Sequence, residues 1–124
     1  MRRFVLAALL STMGFAPCAA KDVLLGDLTE DQMNAIGMTS IARIAGSNDT
    51  CPRYHVIMNA VFEEMREAKI PPELLSTQEF KNAVTIATLG ALERKKKDPS
   101  DFCRAAWQLF GPGGLYRRQM LEAN

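Results

Sequence analysis

Two cysteines, Cys51 and Cys103, stand 52 positions apart in the part of the chain that an export leader would leave behind, and they limit the fold more than any other feature. The leader itself is read from "MRRFVLAALLSTMGFAPCAAKD". Arg2 and Arg3 open it, the charge-free and mostly apolar run Phe4–Ala16 follows, and Cys18, Ala19 and Ala20 are small residues ahead of Lys21. That order is the layout of a secretory signal peptide, with cleavage expected after Ala20. The apolar run is short against the roughly 20 residues that a membrane-spanning helix needs, so no stable span is expected once the leader is gone. Cleavage removes Cys18 and leaves an even pair in an oxidising compartment, the periplasm or the outside of the cell, where a small domain commonly uses such a pair as a disulfide. A Cys51–Cys103 bridge would close a loop worth roughly 4 kcal/mol on the chain-entropy account. The spacing is unlike the CxxC of a redox site.

Taking residues 1–20 from the 124 leaves 104, enough for a single domain at 21–124. Loss of Arg2 and Arg3 reduces the 15 basic side chains to 13 against 14 acidic ones, a formal charge of −1. That balance argues against a nucleic-acid partner, which needs a strong positive excess, while leaving room for a local basic patch.

Periodicity makes the remainder helical throughout, and the expected fold class is all-α: four main helices and a short C-terminal one. "LTEDQMNAIGMTSIARIAG" has a capping box in Thr29 and Gln32, an apolar stripe of Met33, Ile36, Gly37, Ile41, Ile44 and Ala45, and a stop at Gly46. Gly37 inside the pattern weakens the helix or admits another helix close by. The second helix is expected from Thr50 or Cys51, with Pro52 in its first turn and a stripe of Tyr54, Ile57, Met58, Val61, Phe62 and Met65. Pro71 and Pro72 end it, and "PPELL" predicts one short turn. The third runs from a Ser76–Glu79 capping box to Lys97. Its face of Phe80, Ala83, Val84, Ala87, Ala91 and Leu92 is widened by Ile86 and Leu89, which predicts the central helix. Arg94–Lys97 read as a solvated helix end matched to the dipole. The fourth spans about Pro99–Phe110, between an Asp98 cap and a Gly111 stop reinforced by Pro112. "LYRRQMLEA" predicts the final short helix, with Leu115, Met120 and Leu121 inward.

Sites for chemistry are sparse. His55 is the one histidine, and Asn59 follows it at the position where a second metal ligand would help. No HExxH, GxSxG or EF-hand loop occurs, and "GPGG" lacks the Lys-Ser/Thr of a phosphate loop. Acidic side chains at Glu63, Glu64, Glu67, Asp98 and Asp101 match glycoside-cleaving pairs by residue type only. No catalytic residue, metal or cofactor is therefore expected. A protein partner is, with Trp107, Met33 and Met38 as candidate contact residues: methionine fills irregular cores but also makes adaptable binding surfaces, so Met33 and Met38 fit either role, and Trp107 is either buried packing or an aromatic left outside for a partner. Trp107 lies one turn after Cys103 and should sit near the bridge.

In layout, "DTC" entering an expected helix and Cys103 some fifty residues later resemble the small periplasmic acid-stress chaperones of enteric bacteria, which are signal-bearing helical domains tied by one disulfide. The framework is also similar to that of helical, disulfide-bonded periplasmic immunity proteins. The first likeness implies a client-binding chaperone of the cell envelope. The second implies an immunity or inhibitor module with one tight partner. "AWQLFGPGG" around Cys103 departs from the chaperone pattern.

Overall fold

The structure, a computed structural model, describes residues 26–47 and 49–124. The expected leader, residues 1–20, lies outside the described residues. Four α-helices and one short two-stranded sheet follow in the order α1 (Glu30–Ala45), β1 (Tyr54–Val56), α2 (Met58–Glu67), α3 (Gln78–Lys97), α4 (Pro99–Phe110) and β2 (Leu121–Ala123), with a 3-10 turn over Pro72–Ser76. The molecule is mostly helical, as expected, and the sheet is a correction to an all-α reading.

Local chemistry explains the helix ends. Thr29 caps α1 through the Gln32 N–H (3.1 Å), and the Gln32 side chain accepts from the Thr29 N–H (2.9 Å), so two orphan donors are satisfied reciprocally. α3 starts one residue later than a Ser76 cap would place it: Thr77 is the cap and accepts from Phe80 N–H. Asp98 caps α4, Pro99 occupies the first position, and Gly111 ends the helix. A Cβ at Gly111 would stand 2.7 Å from the Trp107 carbonyl oxygen, and one at Gly114 would stand 2.6 Å from that of Leu109. The glycines therefore let the chain fold back tightly over α4, where Leu115 N–H bonds to Gln108 and Tyr116 N–H to Leu109.

The expected second and final helices are both changed by one pairing. Tyr54–Val56 forms an antiparallel ladder with Leu121–Ala123 in the register Tyr54↔Ala123, His55↔Glu122 and Val56↔Leu121. The ladder extends through Ile57 N–H to Met120 and Asn124 N–H to Arg53. Cys51–Tyr54 is a turn closed by the Tyr54 N–H on the Cys51 carbonyl, the strand follows, α2 begins only at Met58, and "LYRRQMLEA" is loop followed by strand. The Tyr54 and Val56 side chains suit a half-buried pleat, but the partner strand is more than sixty residues away, beyond any local periodicity.

The main core joins Ala42, Ala45, Val61, Phe102, Ala106, Phe110, Met120 and Leu121 around Cys51. A smaller one gathers Ala35, Ile36, Ile70, Phe80 and Ala83, and Met65 packs against both. Leu115, expected inward, is 85% exposed, and Met58 and Phe62 of the expected second-helix stripe are also exposed. Cys51 and Cys103 are bonded, with Cα atoms 5.8 Å apart, inside the usual disulfide range. The central helix is α1 rather than α3, since α1 packs against α2, α3, α4 and β1.

Candidate functional site

α1 presents an unexpected side to the interior. Its buried residues are Ala35, Ile36, Thr39, Ser40, Ala42 and Ala45, mostly small. The two hydroxyls are satisfied within the helix: Thr39 donates to the Ala35 carbonyl (2.8 Å) and Ser40 to that of Ile36 (2.7 Å). A narrow, self-satisfied side lets α3 approach closely. Met33, Gly37, Met38 and Ile41 are only half-buried, with Met38 and Ile41 also packed against the edge of the main core.

These residues form the floor of a valley. Met33, Gly37, Met38 and Ile41 from α1 meet Ala87, Gly90, Ala91 and Arg94 from α3 around a groove of about 290 Å³. At Ile41 and Arg94 it adjoins a second groove of about 420 Å³, which is walled by Lys97, Phe102, Ala105 and Leu109. The structure thus brings Met33 and Met38 together. Gly37 and Gly90 stand in helix interiors, where glycine costs about 0.5–1 kcal/mol relative to alanine. A Cβ at either would meet nothing within 4 Å, so no internal contact requires them to be glycine. Two acids on the valley wall are already committed: Asp98 caps α4, and Asp101 pairs with Arg104. Among the described residues Arg94 and Lys97 have no ion-pair partner.

Trp107 lies elsewhere. Its ring stacks on Tyr54, with centroids 4.6 Å apart and planes at 16°, and both line a cleft of about 500 Å³ beside the disulfide together with Arg53, Ser100, Arg104 and Gln108. Trp107 is half-buried, and the stack fastens α4 to β1.

Outside the valley, Ile86, Leu89 and Leu92 project from α3 on the side opposite Phe80, Ala83 and Ala91, with exposures of 50%, 59% and 39%. Leu92 was expected on the buried face, and Ile86 and Leu89 were expected to widen it. None is buried, because α1 and α4 cover only one side of α3, and no described element covers the other.

Polar groups are mostly structural. His55 lies on β1 rather than on a helix, donating from Nδ1 to the Asn124 side-chain oxygen (2.9 Å) across the ladder, with Glu122 3.6 Å from Nε2. The Asn124 amide also bonds to the Pro52 and Tyr54 carbonyls. A second cluster clasps the loop after α4 to α2: Arg117 Nη1 reaches both Glu64 and Glu67 at 2.9 Å, and the Tyr116 hydroxyl donates to Glu64. Arg117 holds the Glu67 carboxyl below its ordinary range, while burial and the Glu64 carboxylate push the Tyr116 hydroxyl well above its own. The sequence reading missed this clasp, which joins residues some fifty positions apart. No group of three metal-ligating side chains occurs among the described residues, and no described helix is long and apolar enough to cross a membrane.

Comparison with known proteins gave no matching family model, no matching curated protein and no matching solved structure.

Proposed function

We propose that this protein is a non-catalytic polypeptide-binding accessory protein of the bacterial cell envelope, exported to the periplasm or beyond, and that it acts as a client-binding chaperone. The observation that carries the reading is the strip of Ile86, Leu89 and Leu92 on the solvent side of α3. A leucine or isoleucine left in water forgoes about 1.5–3 kcal/mol that burial would supply. Adjacent exposed apolar side chains at i and i+3 mark a surface that gains by contact. The Cys51–Cys103 bond supports an oxidising compartment.

The test is bis-ANS fluorescence together with suppression of aggregation of a reduced model client, at neutral pH and after acidification. Binding and protection are expected, and Leu89→Lys should weaken both while leaving thermal stability within about 0.5 kcal/mol, the usual range for surface substitutions. Absence of dye binding and of protection at both pH values overturns the reading.

A second reading, an immunity or inhibitor module with one dedicated partner, is favoured by the valley along α1, which has fixed helical walls. It expects a stoichiometric complex on size-exclusion chromatography of envelope extract with the purified protein. Failure to recover one counts against it.

A further inference from the structure

The valley has three properties that the fold itself does not need. The apolar side of α1 faces it while the small side with Thr39 and Ser40 is packed inward. Glycines stand on both walls, at Gly37 and Gly90, with open space where side chains would be. Arg94 and Lys97 line it without an ion-pair partner among the described residues, while the acids beside them are committed to a cap and to Arg104.

We propose that this valley seats one amphipathic helix of a partner polypeptide, laid across Gly37 and Gly90, with an apolar stripe on Met33, Met38 and Ile41 and carboxylates meeting Arg94 and Lys97. The inference rests on the polypeptide-binding reading above and adds to the Ile86, Leu89 and Leu92 strip a second surface with its own partner chemistry. A helix suits the valley better than a strand. Both walls are helical side-chain surfaces with no free ladder donors, and strand addition needs an open sheet edge. From Met33 to Ile41 the α1 wall runs about 12 Å, roughly two turns of a seated helix. Bare glycine walls admit its backbone closely, and methionines adapt to the side chains between. Asp98 and Asp101 keep their charge, but the last turn of α3 carries Arg94, Lys95, Lys96 and Lys97, so this end of the valley is positive on balance and suits an acidic rather than a basic partner.

The probe is a fluorescently labelled synthetic helical peptide with leucines at i, i+3, i+4 and i+7 and glutamates flanking the stripe. Its control carries lysines in place of the glutamates. Anisotropy titration of the intact, oxidised protein should show saturable binding of the glutamate peptide, and binding of the lysine peptide at least about tenfold weaker. Gly37→Ala and Gly90→Ala should each raise the thermal midpoint, since alanine is the better helix former, and yet weaken the glutamate peptide. A purely structural role for these glycines predicts the first effect without the second. Gly37→Leu with Gly90→Leu should abolish binding, and Arg94→Glu with Lys97→Glu should reverse the preference between the two peptides. The proposal is overturned if the glutamate peptide fails to saturate below about 1 mM, or if binding ignores both the peptide charge and the glycine variants. Client protection sensitive to Leu89→Lys but untouched by the leucine variants, with no peptide binding, would remove the valley and leave the broader function standing. Loss of both would remove both.

Discussion

Phe110 closes α4 with no exposed surface, packed against the Tyr116 ring at a centroid distance of 5.9 Å. Truncation to alanine leaves a cavity that α4 alone cannot collapse, so Phe110→Ala should cost about 3–5 kcal/mol in urea unfolding. Thr39 and Ser40 are buried just as deeply and should behave differently. Their hydroxyls bond to carbonyls of the same helix, which keep their ladder partners when the hydroxyl is lost. Thr39→Val and Ser40→Ala should therefore change stability by less than about 1 kcal/mol, while Ser40→Leu overpacks the buried side of α1 and costs about 1–3 kcal/mol. Glu67 brings a pH dependence. Arg117 lowers its folded-state titration from an ordinary 4.5, so its contribution is complete above 4.5 and is lost as the pH falls through the lowered folded value. Thermal midpoints measured down through the acid range should fall less steeply in Glu67→Gln than in the parent chain. The caps at Thr29 and Asp98 were legible in the sequence because a cap is a relation over three residues. The inward side of α1 was not legible, since a hydroxyl that satisfies itself carries no apolar signature.

Among the elements, periodicity located α1, α3 and α4 to within a residue or two at each end, and it failed where an element is made by its partner. "RYHVI" carries aromatic and β-branched residues, but spacing of three and four through Tyr54, Ile57 and Met58 also fits a helix. Only pairing with Leu121–Ala123 decides between them. The same limit applied to α3: its apolar residues wrap most of the circumference, which reads as burial on all sides when only one side has neighbours. Met33 and Met38 could be singled out as contact residues by type, whereas the opposing wall of Gly90, Arg94 and Lys97 needed the packing of α1 on α3 to be seen.

For the molecule as a whole, residues 51–57 anchor the C-terminal part of the described chain. The disulfide binds Cys51 to α4, Trp107 stacks on Tyr54, and β2 completes β1. Cys103→Ser should lower thermal stability as much as reduction does, by roughly 4 kcal/mol, or about 15 °C or more for a domain of this size, as read by differential scanning calorimetry. A large difference between the variant and the reduced protein would mean that Cys51 and Cys103 are not bonded to each other in solution.

The β1–β2 ladder also sets an order of events. Its two strands are more than sixty residues apart, so Tyr54–Val56 has no partner until residues 121–123 are free to pair. α1 and α3 hold their turns by neighbouring bonds and are free to form earlier. Closure of so long a loop is slow relative to helix growth, and the bond between Cys51 and Cys103 faces the same delay. The helices are therefore expected to form before the strands meet, and until the fold closes, Cys51, only 2% exposed once folded, stays open to thiol exchange.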